Sequence, residues 1–210
     1  MMEGQNYERL CSQWAAELST QPVEELLRRV PELQPDGPGR YVLYHFGRPY
    51  HYDSTTGLVT AADGGYATVL QRLNIYTLLA YCQRDAQPTG QWVPFREVPG
   101  AGPYAPAFQR GNLEPFAATF AGHPDALRQA ASALGGTPLP ESDVGFQLSA
   151  FACIPMRFYF WDSDEEFPAQ ANILFDSGAG RFIHVESLVT LASEALNRLA
   201  QTVELPIADT

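Results

Sequence analysis

The chain has 210 residues, of which 45% are hydrophobic and 18% are charged, a balance typical of a globular protein rather than a disordered one. Its formal net charge of −11 repels phosphate backbones and anionic lipids, so we expect neither nucleic acid nor a membrane surface as a partner. The sequence contains neither an apolar stretch of the roughly 20 residues that span a membrane nor an N-terminal signal core, and we therefore expect a cytoplasmic protein.

Residues 1–39 form a predicted helical segment. Apolar side chains at helical spacing predict a first amphipathic helix, one face of which carries Tyr7, Leu10, Cys11, Trp14 and Leu18. A second, short helix has Pro22 in its first turn, and a run rich in proline and glycine ends it.

Residues 40–134 alternate between regular patterns and a long irregular segment. The segment 86–111 is rich in glycine, proline and aromatic residues, and such long stretches are often functional. Gly135 and Gly136 are predicted to stop the last helix. The predicted elements are strands at 40–46 and 50–53, a central helix at 66–82, a short strand at 92–96, and helices at 112–121 and 124–134.

Residues 137–202 are predicted to form a β-meander followed by a closing helix. Apolar residues alternate from Val144 to Ala150 and from Met156 to Phe160, as they do in half-buried strands. Residues 172–176 and 181–184 flank a Ser-Gly-Ala-Gly turn, which predicts a hairpin. Because strands and helices cluster in blocks, we expect one α+β domain in which an antiparallel sheet packs against helices.

A cluster of acids follows the predicted aromatic strand that ends at Trp161. Four carboxylates fall within five residues, namely Asp162, Asp164, Glu165 and Glu166. Because like charges this close repel one another, they need a cation, protons or full solvation. The cluster therefore fits a hard divalent metal, the docking site of a cationic partner, or a solvated turn. Asp176 ends the next strand, so we expect it at the opposite end of that strand pair.

The aromatic segment 86–111 is a second candidate site. Aromatic surface beside arginine suits a protein partner or a flat small-molecule ligand, and this reading predicts an exposed apolar patch or groove. The alternative is a long loop whose aromatic side chains anchor it in the core. The candidate binding residues are Trp92, Phe95, Arg96, Tyr104, Phe108 and, from the neighbouring strand end, Trp161.

Most catalytic and cofactor signatures are missing. All 13 basic residues are arginine, the three cysteines form no CxxC pair, and neither a GxSxG nucleophile motif nor a phosphate-binding loop is present. The four histidines form no metal-binding spacing, although His45 and His51 lie on adjacent predicted strands and could meet across the hairpin. The sequence therefore indicates no particular cofactor.

Several stretches together resemble an uncharacterised bacterial and archaeal family, a domain of unknown function common in anaerobes. The resemblance covers most of the chain from about residue 75 onward, and its most specific part is a Trp-x-x-Asp-Glu-Glu-Phe-Pro-Ala motif at residues 161–169. Some relatives are similar to fusions with a four-cysteine iron–sulfur segment of the kind found in corrinoid iron–sulfur proteins, and this chain lacks those cysteines. The other stretches are Gly-Gln-Trp-Val-Pro-Phe-Arg-Glu at 90–97, Phe108 with Leu-Glu-Pro at 113–115, Gly-Gly at 135–136, and Ile-Leu-Phe-Asp at 173–176.

These observations support three hypotheses of function. The first is a cytosolic ligand- or protein-binding accessory module, which the resemblance associates with anaerobic redox or corrinoid metabolism. The second is a metal-assisted hydrolase or lyase that uses the acids of residues 162–166. The third is a structural subunit that only oligomerises.

Overall fold

The computed structural model describes residues 2–208, and the side chains of residues 6–208. Two antiparallel sheets pack with helices around one continuous apolar core, which confirms the predicted α+β class. The sheets meet where the Phe46 N–H donates a hydrogen bond of 2.8 Å to the Ala150 carbonyl. No helix among residues 2–208 combines the length and the apolar character that crossing a bilayer requires.

The two N-terminal helices form as predicted. Helix α1 spans Met2–Ser19 and buries Cys11, Ala15 and Leu18. Helix α2 spans Val23–Arg29, follows Pro22, and buries Leu26. The apolar stripe of α1 packs against the central helix of the protein, which explains its period.

The first sheet has the strand order β1-β2-β3-β4. The β2–β3 hairpin turns through Phe46 and Gly47, which both adopt positive φ angles of 48° and 72° and match the right-handed twist of the strands. His45 and His51 do not meet across this hairpin, because the register pairs His45 with Arg48 and His51 with Val42. The four strands are Gln34–Pro35, Arg40–His45, Arg48–Asp53 and Val59–Ala61.

The central helix α3 spans Val69–Tyr81 and is shorter at its start than the pattern predicts. Thr68 and Gln71 form a capping box, in which each side chain binds the backbone N–H of the other residue, and this fixes the first turn. Most of the helix is buried, as its continuous apolar pattern predicts.

The aromatic segment is more helical than predicted. Strand β5, Trp92–Pro94, is followed by short 3₁₀ turns and by α4, Ala105–Phe108. A π-helical turn, Gln109–Leu113, joins α4 directly to α5, Glu114–Phe120. The predicted helix at 112–121 therefore begins earlier than expected. The π-helical turn continues the helix through a region whose prolines and glycines suggest a break. Helix α6 spans Pro124–Ala133. Gly135, with a φ of 78°, follows its last turn and stops the helix, as predicted.

The second sheet has the strand order β5-β9-β8-β7-β6 and contains the predicted meander. The predicted hairpin between residues 172–176 and 181–184 is wrong. Residues Ala179–Arg181 form a 3₁₀ turn, and the outer neighbour of β9 is β5, which comes from far upstream. The meander strands are β6, Thr137–Leu139, β7, Val144–Phe151, β8, Ile154–Trp161, and β9, Gln170–Asp176; helix α7, Ser187–Thr202, closes the fold.

Asp176 explains why β5 takes that position. Its buried carboxylate accepts hydrogen bonds from the backbone N–H groups of Thr89, Gly90 and Gly178 and from the Thr89 hydroxyl. Burial raises the pKa of Asp176, but these donors outweigh it and leave the pKa below its ordinary value. The carboxylate thus fixes the start of the aromatic segment to the end of β9.

Candidate functional site

A groove runs beside β9, between the aromatic segment and the loop that joins β8 to β9. It consists of two hollows of about 440 Å³ and 770 Å³, which share Gln109, Leu113, Gln170 and Ala171. We call this feature the β9 groove. The first hollow is also lined by Pro94, Phe95, Arg96, Ala105, Phe108, Trp161 and Asn172, and the second by Glu114, Ala117, Ala118, Ala121, Ser163, Pro168 and Ala169.

The floor of the first hollow is aromatic. Phe95 and Phe108 stack with their ring centroids 4.2 Å apart, and both rings meet Phe175 edge-on at about 6 Å. Phe95 and Phe108 are each only 2% exposed, so the expectation that they form an exposed patch is not met. They anchor the segment in the core and reach the groove only as its base.

Trp161 forms the exposed wall of the groove. It is the last residue of β8, pairs with Gln170 across the sheet, and keeps 41% of its surface exposed. Its ring packs at 6.2 Å and 25° against that of Tyr159, which fixes its orientation. Arg96 is exposed at the same hollow, so the structure brings together four of the six predicted binding residues.

Trp92 and Tyr104 lie outside the groove lining. The guanidinium of Arg157 sits 4.0 Å above the Trp92 ring, which occupies that aromatic face. Tyr104 is half-buried and its ring meets His184 edge-on at 6.5 Å. The prediction of a single surface made by all six residues is therefore too broad.

The edge of β9 along the groove has no neighbouring strand in the described chain. On one side, β8 pairs with β9 from Gln170 to Phe175. On the other side, β5 pairs only with the stretch from Leu174 to Asp176. Residues 170–172 line the groove and therefore have no strand paired with them on that side, and an unpaired strand edge is the feature that strand addition uses.

The first two carboxylates of the acidic loop stabilise it by accepting backbone hydrogen bonds. Asp162 accepts hydrogen bonds from the backbone N–H groups of Gly122 at 2.7 Å and Ser163 at 2.9 Å. Asp164 accepts from the backbone N–H groups of Glu166 and Phe167, and these two bonds lower the pKa of Asp164.

The geometry does not favour the predicted metal site. Glu165 and Glu166 are exposed, and within residues 6–208 no group of three or more histidine, cysteine or acidic side chains stands where it could hold a metal ion. Asp176 lies at the other end of the strand pair, as expected, with its carboxylate already satisfied by backbone donors.

The comparison with protein families decides the relationship that the motifs suggest. Residues 26–198 match the family described as Domain of unknown function (DUF3786). The chain belongs to the DUF3786 family. No curated protein and no solved structure matches the chain. The DUF3786 match includes the whole β9 groove, whereas α1 precedes it.

The sequence pattern does not predict the polar rim of the groove. The side chains of Gln109, Gln170 and Asn172 offer amide donors and acceptors around the aromatic floor. Amides carry no charge pattern, and the π-helical turn that places Gln109 leaves no recognisable period in the sequence. The one available signal is that Gln170 and Asn172 directly follow the most specific motif, at the start of an apolar strand.

A buried polar network also went unpredicted. His45 is fully buried; its Nδ1–H donates to the Ala150 carbonyl at 3.1 Å, and Asn74 donates to its Nε2 at 3.5 Å. Nearby, Glu194 accepts hydrogen bonds from Gln71 at 2.8 Å and from Arg198 at 2.7 Å. These pairs lock α3 and α7 to the first sheet, and their donors and acceptors are occupied.

The cysteines are not set up as nucleophiles. Burial raises the pKa of Cys11, of Cys82 to about 11, and of Cys153. Glu32 adds to the rise at Cys153, and its carboxylate accepts the backbone N–H groups of Ala152 and Cys153 at the β7–β8 turn. Cys11 and Cys82 thus behave as the small buried hydrophobes that their sequence context predicts, whereas Cys153 is half-buried.

Proposed function

We propose that this DUF3786 protein is a binding module whose β9 groove receives an extended segment of a partner protein. The observation that carries the proposal is the open edge of residues 170–172, which lies between an exposed Trp161 and the π-helical turn. A segment added there would pair with β9 through main-chain hydrogen bonds and place alternate side chains in the two hollows.

The shape of the groove supports a peptide rather than a compact ligand. The two hollows are continuous along β9, because they share residues of both the strand and the π-helical turn. An extended chain rises about 3.3 Å per residue and fills such an elongated space well. Trp161 offers a rigid stacking surface, which is the type of residue that dominates binding energy at interfaces.

The charges along the groove support a polarised partner segment. Arg96 lines the first hollow, whereas Glu114 and the neighbouring acidic loop lie at the second. A segment with an acidic residue at one end and a basic residue at the other would match both ends. The uncharged amides between them would bind its main chain.

Substitution of Trp161 tests the proposal, with Phe167 as the matched control. Native mass spectrometry of the protein purified anaerobically from its own host should show a bound protein mass. Trp161→Ala should lose it, with a fall in affinity of about thirtyfold or more, because an anchoring tryptophan contributes about 2 kcal/mol or more. Phe167→Ala removes an aromatic ring of the same loop that is 59% exposed and does not line the groove, so it should leave binding unchanged.

Two other outcomes of this experiment would change the conclusion. A small-molecule mass that Trp161→Ala removes would show that the groove binds a flat ligand. Binding that survives Trp161→Ala, or the lack of any retained mass, would contradict a role for the groove. The association with anaerobic redox or corrinoid metabolism and the taxonomic range of the motif stay predictions of the resemblance, and the cytoplasmic location stays a prediction from the sequence pattern.

A further inference from the structure

A separate pocket lies between α1, α3 and the start of α7. Its volume is about 210 Å³, and it shares no lining residue with the β9 groove. Helix α1 contributes Tyr7 and Trp14, and α3 contributes Tyr81. His184, which precedes α7, completes the wall. We call this feature the aromatic pocket.

The rings of the aromatic pocket stand at steep angles to one another. The centroids of Trp14 and Tyr81 are 5.8 Å apart with an interplanar angle of 68°, and those of Tyr81 and His184 are 5.1 Å apart at 53°. Tyr7 and Tyr81 keep 40% and 43% of their surfaces exposed. Partly exposed rings set at such angles form the corner of a box, within which a cation can contact more than one π-face.

The floor of the pocket offers acceptors. The Thr77 hydroxyl donates inward to the carbonyls of Leu73 and Asn74 at 3.0 Å. The Thr190 hydroxyl donates to the Asn74 side-chain oxygen at 2.5 Å and to the Ser187 carbonyl at 2.8 Å. Because both protons are used, the hydroxyl groups of Thr77 and Thr190 have only lone pairs left to offer.

The charges at the pocket favour a positive ligand. Its described lining includes one carboxylate, that of Glu186, and no arginine. The His184 Nδ1 accepts the backbone N–H of Glu186 at 3.3 Å and lies 4.0 Å from the Glu186 carboxylate. Elsewhere this protein places its own arginines over aromatic rings, as Arg157 does over Trp92 and Arg48 over Tyr50. The aromatic pocket has the same electron-rich surface without such a partner from its lining.

We propose that the aromatic pocket binds a quaternary ammonium group. Aromatic rings supply the cation–π attraction, Glu186 supplies a counter-charge at the rim, and Leu10 and Leu73 supply apolar contact for methyl groups. A primary ammonium needs three hydrogen-bond acceptors arranged around it, whereas a permethylated one needs only electron-rich faces. The volume of about 210 Å³ suits a trimethylammonium head group.

Titration of the full chain with choline tests this assignment. The matched ligand is 3,3-dimethylbutan-1-ol, which has the same shape without the charge. We expect saturable binding of choline, followed by isothermal calorimetry and by tryptophan fluorescence, and at least about tenfold weaker binding of the neutral analogue, a difference of about 1.4 kcal/mol. Methylammonium should also bind at least several-fold more weakly than choline.

Two variants locate the binding site. Tyr81→Leu should weaken choline binding about tenfold, because it removes one ring of the box. Tyr44→Leu is the control, since Tyr44 is 54% exposed on β2 and does not line the pocket. Thermal melts of both variants check that the fold is intact. Choline that binds no better than its neutral analogue or than methylammonium, shows no saturation, or binds Tyr81→Leu as tightly as the original protein would overturn the proposal.

Discussion

Single buried polar groups decide much of the detailed structure of this protein. Asp176 and Glu32 each hold two backbone N–H groups of a distant turn, and His45 bonds the second sheet to the first. None of these residues lines the β9 groove. In the sequence, such residues look like other polar residues in or beside a strand or loop, because their role depends on what the fold brings to them.

His45 should make the protein sensitive to mild acid. Burial and the nearby Arg198 lower the pKa of His45 to about 3 from an ordinary value of 6.5. The unfolded chain therefore takes up a proton that the folded chain refuses, and stability falls as pH drops below 6.5. Between pH 7.5 and pH 5.0 this one group should cost about 2 kcal/mol of the free energy of unfolding.

The pH dependence can be assigned by substitution. Urea denaturation at the two pH values should show a smaller loss for His45→Gln than for the original protein, whatever the stability of the variant at pH 7.5. His123→Gln replaces an exposed histidine and should keep the full loss. A His45→Gln variant with an unchanged difference between pH 7.5 and 5.0 would show that another group causes the acid sensitivity.

At the scale of elements, two acidic residues of the β8–β9 loop stabilise the fold of the loop itself. Asp162 joins the loop to Gly122, after α5, and Asp164 closes a tight turn over Glu166 and Phe167. The loop therefore sets the position of Trp161 and Pro168 at the groove. The predicted docking of a cationic partner on the remaining exposed acids stays a prediction.

The loop should not bind divalent cations specifically. Thermal melts with Mg²⁺, Mn²⁺ and Ca²⁺ up to millimolar concentrations should show no saturable rise in the melting temperature, because two carboxylates are occupied and the other two are exposed. A double variant, Glu165→Gln with Glu166→Gln, should behave like the original protein. A saturable rise that this variant abolishes would instead support the metal-assisted enzyme.

Helices and strands could be predicted where the apolar pattern repeats over many residues. The pairing between strands could not. The amphipathic pattern of α1 and the alternation of β7 and β8 both led to the correct element, since each follows from burial of one face. The pairing of β9 with β5 instead of residues 181–184 depends on the hydrogen bonds of Asp176 with a segment more than 80 positions upstream. Local turn residues contain no information on such a contact.

The same distinction applies to the candidate site. Aromatic and arginine residues indicated this region of the sequence, and Trp161, Arg96, Phe95 and Phe108 line one hollow. Their relative exposure depends on the π-helical turn and on the place where β5 stops pairing, and neither has a sequence signature of its own. The open strand edge, on which the proposed function rests, was therefore visible only in the structure.

At the scale of the whole molecule, α1 is part of the fold although it precedes the residues that match DUF3786. It buries its stripe against α3, and it lies so close to the β3–β4 connection that only glycine fits at position 57. A Cβ atom placed on Gly57 would lie 1.9 Å from the Ala15 carbonyl oxygen, and Gly57 also has a φ of 71°. Both α1 and the first sheet would have to move to admit a side chain.

Gly57→Ala should therefore destabilise the protein far more than a glycine-to-alanine change at a similar backbone angle. Gly64 is the matched control, because its φ is 76° and no atom lies within 4 Å of a Cβ built there. Both variants carry the cost of a left-handed alanine, about 1–2 kcal/mol, so the difference between them measures the close approach of α1. We expect Gly57→Ala to lose at least about 2 kcal/mol more in urea denaturation, in the range of other severe core changes. Equal losses would mean that α1 is not packed tightly against the first sheet, and the aromatic pocket that α1 helps to form would then lack a fixed wall.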